Sequence, residues 1–297
     1  MGQRRRWLTL SAILILISLA SLLFRGLNFG VDFTGGLLME VGFSKPVDLQ
    51  ALRTDLGAAG YGDAQVQSFG GASDVLIRML PRDEASADDQ ANVLLGVLQK
   101  VDSSVELRRT EFVGPQVGRE LSERGGTALI FTLIMIMIYV MFRFQWKFAV
   151  GAVAALIHDV IITVGVFSIL QLSFDLTVIA AILAVIGYSL NDTIVVFDRI
   201  RENFRKIRSG DAVSVTNRSV NETLSRTINT SMTVFIVVVV LFIFGGEAVR
   251  GFSAALIVGV VVGTYSSIYV ASALVLLLGL TRDDLLVSKK VEDDGQP

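Results

Sequence analysis

The chain has 297 residues, of which 52% are hydrophobic and only 18% charged, with a net charge of −2, no cysteine and a single histidine, His158. A mean hydropathy of +0.62 and charge well below the roughly 25% of soluble domains point to several segments that face lipid. The balanced charge offers no footprint for nucleic acid, the absence of thiols excludes disulfides and thiolate metal sites, one histidine makes no His cluster, and no GxxxxGK[ST] phosphate loop occurs.

A hydrocarbon core about 30 Å thick takes roughly 20 helical residues. Apolar runs of suitable length lie at 7–24, 127–142, 148–170, 176–197, 228–244 and 252–280. Arg4, Arg5 and Arg6 before the first run, with Ser18-Leu19-Ala20 inside it, also fit a cleaved signal peptide. The run continues through Leu22, Leu23 and Phe24, so a retained helix is expected. Lys and Arg concentrate before the first run (Arg4–Arg6), between the second and third (Arg143, Lys147), between the fourth and fifth (Arg199, Arg201, Arg205, Lys206, Arg208, Arg218, Arg226) and after the last (Arg282, Lys289, Lys290). The loops at 171–175 and 245–251 hold only Arg250. Positive residues mark cytoplasmic loops, so both termini are expected in the cytoplasm.

Between the first and second runs the character changes. Residues 37–43, 64–69, 75–80 and 105–113 read as strands, and 47–59 and 85–101 as helices. That β-α-β-β-α-β order is the ferredoxin-like one. The expected fold is thus a polytopic α-helical membrane protein with six transmembrane helices and a small α+β domain outside the cytoplasm. Its expected parts are an N-terminus and first helix over 1–28, the outside domain over 29–124, helices two to six over 125–280, and a tail over 281–297. Gly30-Val31-Asp32-Phe33-Thr34-Gly35-Gly36 reads as a turn at the exit of the first helix, and Val113-Gly114-Pro115-Gln116-Val117-Gly118 as a linker back.

Polar residues inside the spans carry more information, because an Asp at mid-membrane costs about 2.5–3.5 kcal/mol on insertion scales. The fourth span holds Gly187-Tyr188-Ser189-Leu190-Asn191-Asp192-Thr193. The fifth opens with Arg226, Asn229, Thr230 and Thr233 on one face by their spacing. The two spans are antiparallel neighbours, so Asp192 and Arg226 are expected at similar depth. Low dielectric favours a protonated carboxyl, and a guanidinium favours the charged one. A proton-binding site and a packing ion pair both fit. His158 and Asp159 in the third span are adjacent, about 100° apart on a helix, so a direct pair is not expected. Packing and relay roles both fit them. Ala255, Gly259 and Gly263 in the last span allow close helix contact, either within the chain or with a partner. The stretch 198–227 is expected to be a basic, partly amphipathic loop on the anionic membrane surface.

The Gly30–Gly36 and Val113–Gly118 motifs, His158-Asp159, the Gly187–Thr193 run, Asp198-Arg199-Ile200-Arg201-Glu202-Asn203 and Leu224-Ser225-Arg226-Thr227 together resemble the SecD/SecF family of the RND transporter superfamily. The resemblance runs from the first span to the last and leaves out the acidic tail at Glu292-Asp293-Asp294. It implies a multi-pass protein of the bacterial inner membrane with a periplasmic domain. It also implies pairing with SecD, work alongside the SecYEG channel, the ATPase SecA and YajC/YidC, and preproteins as substrate. The expected activity is completion of preprotein export on the proton motive force, with protons as coupling ion and no cofactor or nucleotide site of its own. Asp192 and Arg226 take the family's proton-handling positions, with Asn191, Thr193, Asp159 and His158 as relay companions. Asp32, Gly35, Gly36 and Gly187 are the structural or coupling positions. A non-conducting scaffold subunit and an RND-type exporter of a small molecule or lipid remain the other readings.

Overall fold

The structure, a computed structural model, describes residues 1–80, 87–207, 210–281 and 284, with the backbone alone at 87, 88 and 247. Arg208, Arg282, Lys289, Lys290 and the acidic tail lie outside the described residues. Among the described residues, six helices are long and apolar enough to cross a membrane: α1 (Arg4–Phe24), α5 (Pro115–Arg143), α6 (Trp146–Leu170), α7 (Leu176–Lys206), α8 (Ala212–Phe244) and a sixth span at Arg250–Leu277. The sixth runs as α9 (Arg250–Tyr265), a π-helical segment (Ser266–Ala271) and α10 (Ser272–Leu277). About half of the third, fourth and sixth spans is buried, whereas the first, second and fifth lie on the outside of the bundle.

Between α1 and α5 come β1 (Asn28–Phe29), α2 (Val31–Thr34), β2 (Gly36–Gly42), α3 (Leu49–Ala58), β3 (Gln65–Phe69), β4 (Gly71–Met79), α4 (Ala87–Val101) and β5 (Glu106–Val113). Strands β2 to β5 form an antiparallel sheet in the order β3-β4-β2-β5, with Met39 opposite Ile77 on one side and Thr110 on the other. Period-two alternation sends Leu37, Met39 and Val41 of β2, with Val75, Ile77 and Met79 of β4, to one face. They pack there with Leu52 and Leu56 of α3 and Leu94 and Leu98 of α4. Asp48 starts α3 by accepting from the amides of Gln50 and Ala51, the usual way a cap satisfies first-turn donors.

Three features depart from the sequence expectation. The linker at 113–118 shrinks to Gly114, because Pro115 sits at the first helical turn, where its missing N–H loses nothing, and α5 starts there. The surface loop expected over 198–227 is mostly helix: α7 continues to Lys206 and α8 begins at Ala212. These extensions are polar but joined side to side, Asn203 donating to Ser219 at 3.0 Å and Arg199 to Glu222 at 2.6 Å. The third is a two-residue parallel ladder between β1 and β6 (Ser173–Phe174), which ties the exit of the first span to the connection between the third and fourth.

Candidate functional site

The polar groups of the fourth span meet two clusters in the bundle. In the first, Asp192 is 2% exposed. Its Oδ2 lies 3.4 Å from Ser231 Oγ on α8. Tyr188 donates to the same Ser231 oxygen at 2.9 Å, and Thr264 of the sixth span approaches it at 2.7 Å. Ser231 is therefore the junction of spans four, five and six. Its single proton is shared between Asp192 and the Thr227 carbonyl at 2.8 Å.

The second cluster centres on Asp159, which is 1% exposed. Its Oδ2 accepts from Ser189 Oγ at 2.6 Å and from Ser266 Oγ at 2.8 Å, and its Oδ1 lies 2.9 Å from His158 Nδ1. The expectation that His158 and Asp159 do not pair is thus wrong. Their Cβ vectors diverge around the helix, but both side chains have enough rotatable length to fold toward each other. His158 Nε2 is buried without a partner. Ser266 opens the π-helical segment, a local widening found often at functional positions.

Arg226 is exposed, as are Asn229, Thr230 and Thr233. Among the described residues no ion pair joins Arg226 to Asp192. The face of α8 that meets Asp192 is the one carrying Ser231, not the Arg226 face. Asn191 is also exposed, while Thr193 is buried with an unpartnered hydroxyl. Ser231, Thr264 and Ser266 escaped the sequence reading because a hydroxyl in a helix can bond to its own preceding turn, so it raises no alarm in an apolar run.

Gly259 and Gly263 face inward. A Cβ on Gly259 would lie 2.1 Å from Val185 and one on Gly263 3.0 Å from Ser189. The small-residue stripe is therefore an internal contact between spans four and six. Gly187, by contrast, has open space around it.

At the end of the bundle that carries the α/β domain, Asp32 Oδ2 accepts from the amide of Leu176, the first residue of α7, at 2.9 Å. Asp175 caps the same helix at Val178 N, 3.0 Å. Gly35 and Gly36 adopt φ of 68° and 124°, values natural only to glycine. A Cβ on Gly36 would sit 2.1 Å from the Met79 carbonyl oxygen.

The description "Protein export membrane protein SecD/SecF, C-terminal" matches residues 93–281, and the "SecD/SecF GG Motif" matches 20–47. The chain belongs to the SecD/SecF family. The protein translocase subunit SecF of Vibrio alginolyticus is 54% identical over 96% of this chain and 90% of its own length. That of Pseudomonas aeruginosa is 50% identical over 96% and 93%. The crystal structure of SecDF, a translocon-associated membrane protein from Thermus thermophilus, superposes with a TM-score of 0.85 at 36% identity. The match covers 94% of this chain and 38% of that longer one. A SecDF structure in a super-membrane-facing form matches at 0.69 over the same shares. Within the SecD/SecF family, the GG motif of this multi-pass membrane protein is the Gly35-Gly36 turn, set beside Asp32 and the start of the fourth span.

Proposed function

We propose that this chain is the SecF-type subunit of the bacterial protein translocase. It pairs with SecD in the inner membrane, with both termini in the cytoplasm, and uses the proton motive force to finish preprotein export. The observation that carries this reading is Asp192: a carboxyl buried at membrane depth, joined to two other spans through Ser231 and held in an ion pair by no cation among the described residues. Such a group exchanges a proton only together with its helix contacts, so protonation shifts the packing of spans four, five and six. One charge crossing the membrane supplies about 2.3 kcal/mol per 100 mV, enough over a few protons to bias a two-state element.

Several features support the finer parts. The exposed polar residues Asn191, Arg226, Asn229 and Thr230 are costly against lipid, which supports cover of Arg226 by the SecD helices. His158 and Asp159 form the second relay position. The strand order β3-β4-β2-β5 with two helices on one face supports a ferredoxin-like domain, which we place in the periplasm from the Lys and Arg distribution. Preprotein delivery by SecYEG and SecA, assistance from YajC/YidC, protons as the sole coupling ion and the lack of a nucleotide site belong to the same proposal.

The test is gradient-dependent export of a secreted preprotein by wild type, Asp192→Asn and Arg226→Met at equal expression. Loss of the gradient-dependent part in both variants, with the complex intact, is expected. Unchanged export in Asp192→Asn would make the chain a scaffold.

A further inference from the structure

Arg78 is placed unlike the other described charged residues of the α/β domain. On β4 its neighbours Ile77 and Met79 point into the helix-covered core, so alternation turns Arg78 to the opposite, open face. Its register partners there, Leu38 and Gln65, are half-buried and exposed. Arg78 is nevertheless 7% exposed. What covers it is the outer end of the membrane bundle. Nη1 donates to the Phe29 carbonyl at 2.5 Å and reaches Asn28 Oδ1 at 3.4 Å, while Nη2 lies 3.5 Å from Ser173 Oγ. The guanidinium therefore grips both strands of the β1–β6 ladder.

Burial of a guanidinium is costly unless it is paired. Arg78 forms no ion pair among the described residues, its Nε is buried without a partner, and its hydrogen bonds go to neutral oxygens. Burial pulls its pKa below the ordinary value, against an opposing pull from the Asp175 carboxylate. A sheet residue with no task at that face would be cheaper as an aliphatic. The ladder it grips is itself tied to the fourth span: Gly30 N donates to Phe174 O at 2.7 Å, Asn28 Nδ2 to Gln171 O at 3.1 Å, and Leu176 N to Asp32.

We propose that Arg78 is the pin that docks the four-stranded domain on the outer end of the bundle, and the positioning residue through which the fourth span moves that domain. The second half rests on the proton-driven reading above. The planar fork matters, since one guanidinium holds acceptors on two strands in fixed geometry, whereas an ammonium is a single point.

The experiment measures hydrogen exchange and gradient-dependent export on the full chain, co-expressed with its SecD partner, for wild type, Arg78→Met and Arg78→Lys. In Arg78→Met the Gly30 amide is expected to exchange at least tenfold faster, with Met39 and Ile77 still protected, and Arg78→Lys is expected to fall between. Gradient-dependent export in Arg78→Met should drop to the level of Asp192→Asn while the ATP-driven part persists. Unchanged exchange at Gly30 overturns the pin, and so does lost protection at Met39 and Ile77, which would make Arg78 a folding residue. Faster Gly30 exchange with full gradient-dependent export overturns the coupling role. Should Asp192→Asn itself retain gradient-dependent export, the proton-driven reading fails, and the exchange measurement still decides on the pin.

Discussion

Ser231 has one proton to give and stands between a carboxylate, a tyrosine, a threonine and its own helix backbone. Removing its hydroxyl in Ser231→Ala leaves Tyr188 without this acceptor and Asp192 without its bond across to α8. Interhelical hydrogen bonds in membranes average about 0.6 kcal/mol and reach about 1.7. Ser231→Ala should therefore lower unfolding stability in detergent by about 1 kcal/mol. It should also displace the pH profile of gradient-dependent export, which a purely structural serine would leave in place. Asp192 was legible in the sequence because a carboxylate in an apolar run is conspicuous on cost alone. Its partner was not, because Arg226 offered the more obvious charge and Ser231 satisfies itself locally. The same blindness hid Ser266 beneath Asp159. Adjacency on a helical wheel gave the wrong answer for His158, whose ring bends toward its neighbour.

Among the elements, spans four and six come close where Gly259 meets Val185. A methyl group there would lie 2.1 Å from a Val185 methyl, and a valine on a packed helix has little room to yield. Gly259→Ala should cost about 1–3 kcal/mol by overpacking, read as a lower thermal midpoint. Adding Val185→Ala should recover most of the loss, so the two changes will not be additive. The strands and helices of the α/β domain fell close to their sequence positions because alternation and amphipathicity are strong there. β1 and β6 could not be read: two residues carry no period, and their partner lies in another part of the chain. The helical extensions at 198–206 and 212–226 were missed for a different reason. Apolar windows detect where a helix crosses lipid, whereas these turns are held by side-chain bonds such as Arg218 to Glu222 at 2.9 Å.

On the scale of the whole molecule, the end of the bundle opposite the α/β domain is closed by a contact between the start of the third span and the segment after the sixth. Lys147, at the start of α6, donates to Asp284 Oδ2 at 2.6 Å. That bond, together with the Thr281 amide, lowers the Asp284 carboxyl to about 2. A carboxyl whose folded pKa is depressed adds stability above its unfolded value, about 3.9, and loses it as pH falls toward the folded value. Wild type should therefore exceed Asp284→Asn in thermal midpoint at pH 6, and the difference should shrink steadily between pH 4 and pH 2. The contact is partly exposed, so the gap will be small and will narrow further in high salt.

The parallel ladder at the outer end has a consequence for biosynthesis. Arg78 and Ser173 are 95 residues apart in the chain, and ribosomes add about 5–20 residues per second. The α/β domain ends with β5 at Val113, 60 residues before Ser173, so it is complete roughly 3–12 s before β6 has been made. Each molecule passes through a stage in which Arg78 can reach Asn28 and Phe29 but Ser173 does not yet exist. At that stage the domain has its own Leu37–Val105 core to hold it, without the contacts that β6 later adds.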